Sequence, residues 1–333
     1  MPGVSLHADG TTEALAGFPI TIGTGSASGE GPDATLAWSA RRRLLFVSGG
    51  RGISVFRANA DGTAAAVPGG PFVGPAGGSY VGLAVVEKGK QTFVYAAADR
   101  APLHREVDGF QVQTDGTLTP VGTPPVVNPN PWGMASSKSR VFAANWRGNQ
   151  VFGWSAAADG SLVASATSPV TVEPNGANFV LFPDPKGKWL YSTSSEAKPA
   201  FIATWKMKGP RGDLVPIAAG HYSGRLADYG GGLALARGSL CFAMAYSLTG
   251  TADVEPLRRR ANGSFSPVGA LQDSGLALRT MGVLDAAGKR LCMASADKVR
   301  VFRVNPSNGA LTQASDYPLT AGAYVEGMVI VPK

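Results

Sequence analysis

Ile53-Ser54-Val55-Phe56-Arg57-Ala58-Asn59-Ala60-Asp61-Gly62-Thr63-Ala64-Ala65-Ala66-Val67 decides the fold of this chain. A short apolar run leads into an Asp-Gly pair, and a second run follows that closes near Pro71. Glycine supplies the positive φ that a tight turn between two strands needs, so the stretch reads as a β-hairpin. It lacks apolar residues at a 3.6-residue period, and no helix is expected there.

The same unit recurs. Turn pairs stand at Asp9-Gly10, Asp61-Gly62, Asp115-Gly116, Asp159-Gly160, Arg211-Gly212, Asn262-Gly263 and Asn308-Gly309, with steps of 52, 54, 44, 52, 51 and 46 residues. Two further apolar runs lie between successive hairpins, such as Leu36-Ala37-Trp38 with Leu44-Leu45-Phe46-Val47, or Gly82-Leu83-Ala84-Val85 with Phe93-Val94-Tyr95-Ala96. Four strands per repeat make one propeller blade. The first run of each is small and often opens at Gly, as a crowded innermost strand requires. The expected fold is all-β: one domain over residues 1–333, a seven-bladed β-propeller of four-stranded antiparallel blades. N- and C-terminal strands close its last blade, with a hairpin around Asp9-Gly10 and a lone innermost strand at residues 326–331. Such closure removes the open edge. The second strand of that blade has no counterpart in the sequence.

Hydrophobic residues make up 44% and charged residues 16%, with 44 Gly and 24 Pro, a balance that favours turns and a buried core over helices. No run reaches the roughly 18 to 20 apolar residues of a membrane helix. No basic stretch followed by an apolar one marks residues 1–10, so a cytoplasmic location is expected, with secretion open if the natural chain starts earlier. Cys241 and Cys292 occupy matching strand runs and read as buried residues rather than a bridge or metal pair. The net charge is +7, and the basic clusters Arg41-Arg42-Arg43 and Arg258-Arg259-Arg260 are short. Nucleic-acid binding favours a concentrated basic face with aromatic platforms, whereas the aromatics here lie inside strand runs. A monomer without nucleic-acid or membrane partners is therefore expected, its mild cationic field favouring small anionic molecules.

Residues 23–31 are Gly-rich, yet no helix follows to make a phosphate cradle. Arg211-Gly212-Asp213 fills a hairpin-turn slot. No Gly-x-Ser-x-Gly elbow occurs. His7, His104 and His221 lack metal-ligand spacing, carboxylate-rich loops are absent, and neither metal nor cofactor is expected. What remains is the ring of innermost strands. Asp33, Tyr80, Trp132, Asn175, Asn178, Tyr229, Arg279 and Glu326 fall at or just before their starts. Connections between second and third strands add Arg51, Glu106, Asn145, Arg147 and Glu196 at the same mouth. Glu326, His221 (read as lying in the loop of residues 220–228) and Arg279 are the candidate catalytic residues. Arg147, Tyr80, Trp132, Asn178, Tyr229, Asn145 and Glu196 are the candidate substrate-binding residues. Arginines, carboxylates and an imidazole in one mouth can bind an anion and move a proton.

Three stretches carry a resemblance to a known family. Ala144-Asn145-Trp146-Arg147-Gly148-Asn149-Gln150-Val151-Phe152, Phe182-Pro183-Asp184-Pro185-Lys186-Gly187-Lys188-Trp189-Leu190-Tyr191 and the hairpin from Val301 through Leu311 resemble the seven-bladed propeller lactonases. That family takes in 6-phosphogluconolactonases of the propeller type and carboxymuconate cyclases. The resemblance implies metal-independent lactonase or cycloisomerase chemistry on a small anionic lactone or unsaturated carboxylate. The family's Pro-His pair is replaced by Pro174-Asn175, so its histidine chemistry does not carry over to these positions. A non-catalytic binding scaffold, or a lyase or epimerase on the same fold, is the alternative.

Overall fold

A computed structural model of the chain describes residues 4–7, 9–15, 18, 35–98, 106–127, 131–145, 148–172, 178–194, 201–226, 232–245, 253–276, 281–295, 297–319 and 328–330. These form an all-β propeller, with no helix among the described residues. Six antiparallel sheets follow one another in chain order. The first blade runs outward from Leu36–Ser39 through Leu44–Gly49 and Gly52–Ala58 to Ala64–Ala66. The innermost strands of the other five are Tyr80–Lys88, Pro131–Ser137, Asn178–Pro183, Gly232–Leu235 and Met281–Leu284. Successive innermost strands pack on one another around the axis. The third blade adds a fifth short strand, Val170–Thr171, beside Gln150 and Val151.

Seven four-stranded blades were expected; the described residues hold six, together with a two-stranded hairpin of Val4–Leu6 and Thr12–Ala14. Residues 328–330 form no strand, although Val329 packs against Leu45, Val47 and Phe56 of the first blade.

Each hairpin turn follows from its sequence. All seven turn glycines, from Gly10 (φ 92°) to Gly309 (φ 72°), take the left-handed region that side-chain-bearing residues avoid. In the first turn Asp9 Oδ1 accepts from the Thr11 amide and hydroxyl, and Asp61 with Thr63, Asp115 with Thr117, Asp159 with Ser161 and Asn262 with Ser264 repeat the motif. Arg211 has no acceptor to offer, and the fourth-blade turn takes a second left-handed glycine, Gly209 (φ 62°).

The turns also stitch blade to blade. A Cβ on Gly160 would lie 2.5 Å from Phe93 of the preceding blade, and one on Gly263 would lie 2.6 Å from Trp189. Cations bridge the same seam. Arg57 donates to the Asp115 carbonyl, Lys188 to that of Ala261 and Arg258 to that of Ser307. The step continues past the sixth blade, where Arg303 donates to the Asp9 carbonyl at 2.6 Å and Gly10 sits against Ala314. It resumes at Gly62, whose neighbour is Leu15.

Apolar side chains fill the wedges between sheets. Leu44, Phe46 and Val55 of the first blade meet Leu83, Val94 and Phe110 of the second. The crowding expected of innermost strands is present, since a Cβ on Gly82 would lie 2.6 Å from the Trp132 carbonyl oxygen.

Candidate functional site

Strand register defines a mouth. Each innermost strand begins beside the end of the second strand: Tyr80 pairs with Ala98, Pro131 with Asn145, Asn178 with Ser194, Gly232 with Met244 and Met281 with Ala294. Second-to-third connections and the connections between blades therefore open on one face, and the hairpin turns on the other.

Tyr80, Trp132 and Asn178 do stand at the starts of innermost strands. Tyr80 nevertheless points away from the axis. Fully buried, it donates to Asp108 Oδ2 on the third strand of its own blade at 2.5 Å and accepts from the Gly74 amide at 2.8 Å. Burial first, and the bond to Asp108 second, push its hydroxyl well above the usual tyrosine range, so it stays a neutral donor. Trp132 is buried too. Asn145, also fully buried, accepts from the Gly148 amide at 3.0 Å, and a Cβ at Gly148 would lie 2.3 Å from its Nδ2. This Asn supports the turn that follows it.

His221 is corrected. It lies within the outermost strand of the fourth blade, Asp213–Ser223, rather than in a loop, and pairs with Ala203. Its ring is exposed and stacks on Phe201 with centroids 5.2 Å apart. Three strand spacings, on the order of 14 Å, separate that position from the innermost strand. The small residues Ala218-Ala219-Gly220 that follow Val215-Pro216-Ile217 hid the continuation, because a bulge between Ala203 and Trp205 breaks the alternation.

Glu326, Arg279, Arg147, Tyr229 and Glu196 lie outside the described residues, as does the side chain of Asn178. In sequence, Arg279 stands two residues before Met281–Leu284 and Arg147 two after Arg140–Asn145. Among the described residues no three His, Cys, Asp or Glu gather as metal ligands.

Acids in or just before the third strands form clasps that the sequence reading missed. Asp108 accepts from the Ala76 amide as well as from Tyr80, fastening the connection that enters its blade. Glu255, buried in the fifth blade, accepts from Tyr222 Oη at 2.8 Å and Arg225 Nε at 2.7 Å. Tyr222 is raised above the usual tyrosine range, by burial first and then by this bond. Asp253 accepts from the Ser274 amide at 2.8 Å and from its hydroxyl. In the sixth blade the polarity reverses: Arg300 Nη1 donates to the Ser274 carbonyl while the guanidinium holds Asp316 in a two-pronged pair. The signal was legible as an acid inside an apolar run, Val107-Asp108-Gly109-Phe110 and Val254-Glu255-Pro256-Leu257, since a buried charge needs partners. These clasps set the entrances of the innermost strands, and so position whatever the mouth holds.

No protein-family model and no curated protein matches the sequence. Solved structures do match. The periplasmic gluconolactonase of Pseudomonas aeruginosa aligns with a TM-score of 0.72 and 16% identity, over 95% of this chain and 91% of that one. A candidate 6-phosphogluconolactonase of Bacteroides uniformis aligns at 0.71 and 18%, over 93% and 90%. One from Bacteroides fragilis aligns at 0.69 and 17%, over 93% and 88%. This chain is similar to those proteins along nearly its whole length, and it shares their β-propeller fold.

Proposed function

We propose that this chain is a lactonase-type hydrolase acting on a small anionic lactone at the mouth of its propeller. The observation that carries the reading is the near full-length likeness to a gluconolactonase, 95% of this chain at a TM-score of 0.72. Fold likeness alone does not transmit an activity, so the reading rests equally on the residues next to the mouth. Arg279 and Arg147 flank strand ends on that face and are suited to hold the substrate's anionic group through paired hydrogen bonds. Glu326 takes the role of general base toward water, without a metal. His221, on an outer strand, is left out. Tyr80 and Asn145 act as supports rather than as ligands to substrate.

We also infer a seventh blade, built from the N-terminal hairpin and the C-terminal segment. The seam described above supports it: Arg303 reaches Asp9 as Arg57 reaches Asp115, and Gly62 meets Leu15 as Gly116 meets Val67. Val329 lies against the first blade, where an innermost strand of that blade would pack.

The test is hydrolysis of sugar lactones and phosphorylated lactones followed with a pH indicator, on wild type, Glu326→Gln and Arg279→Ala. Expected are turnover in the wild type, a fall in kcat of about 100-fold or more in Glu326→Gln, and a raised KM in Arg279→Ala. No turnover on any lactone by folded protein overturns the activity. Unchanged kinetics in both variants overturn the assignment of these residues.

A further inference from the structure

We propose that the hairpin-turn face of the fourth and fifth blades adsorbs to an anionic lipid bilayer. This surface lies opposite the mouth and is independent of the lactonase reading. The turns of these two blades span residues 184–188, 206–213, 236–239 and 258–263. They hold nine Lys or Arg against Asp184 and Asp213, a surplus as large as the +7 of the entire chain. Both acids are already counted in that surplus. Asp184 is buried against Arg259, and Asp213 accepts from the Ala166 amide of the third blade. Lys186, Lys206, Lys208, Arg211, Arg237 and Arg260 are all exposed. No acid among the described residues pairs with any of the six.

The two blades form one continuous patch. Lys188 donates to the Ala261 carbonyl, Arg259 pairs with Asp184, and Gly263 seats on Trp189 across the seam. On the first three blades the corresponding turns carry Asp61, Asp115 and Asp159; on the fourth and fifth they carry Arg211 and Asn262. The sequence displays these cations as scattered short clusters, and the fold gathers them.

The chemistry favours a planar surface of mobile monovalent headgroups. Long flexible stems on short turns make a spread field rather than a built pocket for one multiply charged ligand. Trp189 is buried, so the patch offers no ring on which the bases of a single strand could stack. The cations spread across two blades in two dimensions, whereas a duplex backbone asks for a linear track. Each Lys or Arg near an anionic leaflet adds roughly a several-fold gain in partition, and salt screens it.

The experiment is co-sedimentation of the full chain with phosphatidylcholine vesicles, with or without about 30 mol% phosphatidylserine. We expect pelleting only with phosphatidylserine. Partition should fall by about tenfold or more in Lys206→Glu/Lys208→Glu/Arg211→Glu, and likewise at about 0.5 M salt. If that variant melts early, Lys186→Gln with Arg237→Gln, confined to exposed turn positions, makes the same comparison at a smaller expected loss. Absence of wild-type pelleting at low salt, or equal pelleting by a folded variant, overturns the proposal. Tighter binding to duplex DNA than to the vesicles also overturns it and assigns the face to nucleic acid. Lactone turnover is not read in this assay, so its outcome and that of the lactonase reading separate.

Discussion

Tyr80 and Asp108 stand on the innermost and third strands of one blade, and the hydroxyl of the first donates to a carboxylate oxygen of the second at 2.5 Å, both residues being fully buried. The bond crosses the blade beneath its second strand. It leaves Asp108 free to hold the Ala76 amide as well, so one carboxylate fastens both an innermost strand and the connection that delivers it. Tyr80→Phe keeps the ring and removes the donor, leaving Asp108 and the Gly74 amide short of a partner. A loss of about 1–3 kcal/mol is expected, read by denaturant unfolding. An unchanged midpoint would show that water replaces the hydroxyl.

Arg259 and Asp184 form a buried pair across the seam of the fourth and fifth blades, at 8% and 3% side-chain exposure. Removing one partner strands the other charge. Asp184→Ala is expected to cost about 3–5 kcal/mol, and Asp184→Leu with Arg259→Met much less than two such losses. A double-mutant cycle measures the coupling, and strict additivity would argue against it.

Gly160 and Gly89 separate strain from space. Both have positive φ, but a Cβ at Gly89 meets nothing within 4 Å while one at Gly160 runs into Phe93. Gly89→Ala should cost about 1 kcal/mol for backbone strain alone. Gly160→Ala should cost about 1–3 kcal/mol more, through overpacking at the seam. Equal thermal shifts would contradict the contact.

The turn carboxylates make stability depend on acid. Asp9 and Asp61 lie below the ordinary value of 3.8, chiefly because threonine hydroxyls donate to them; Asp115 and Asp159 do so chiefly through backbone amides. A depressed folded value means the stabilisation is complete above the unfolded value and is lost as pH falls through the folded one. Melting temperature should thus decline below about pH 4. The combined Asp→Asn change at Asp61, Asp115 and Asp159 should flatten that decline. A variant that follows the wild-type curve would place the acid sensitivity elsewhere.

The N-terminal hairpin is expected to be part of the folded ring. Arg303→Ala removes two charged hydrogen bonds to the Asp9 carbonyl, from Nε and Nη2, and should cost about 1–3 kcal/mol. Deleting residues 4–14 uncovers Ala314 and the Leu15 seam and should cost several times that. If hydrogen exchange showed the sixth blade equally protected without the hairpin, closure through this seam would be refuted.

The propeller was legible because its information is local and repeated. Asp61-Gly62 and its counterparts each state a turn, and the runs beside them state strands whatever the rest of the chain does. Gly82 announced a crowded innermost strand through the absence of a side chain. The buried state of both cysteines followed the same strand logic.

The mouth was legible only as positions along strands. That Tyr80 starts an innermost strand follows from sequence, but the direction of its ring does not, because Asp108 reaches it only after three strands have paired. His221 was misplaced for the same kind of reason: its strand extends past a bulge held by register with Phe201–Lys208. Sequence by itself determined the repeat, the turns and the all-β class, which depend on backbone conformation and on neighbours within a few residues. Tertiary structure alone decided the Asp108 and Glu255 clasps, the Arg259–Asp184 seam and the cationic face of two blades. Each of those brings together groups far apart in the chain, and only closing the sheets around a common axis fixes which of them meet.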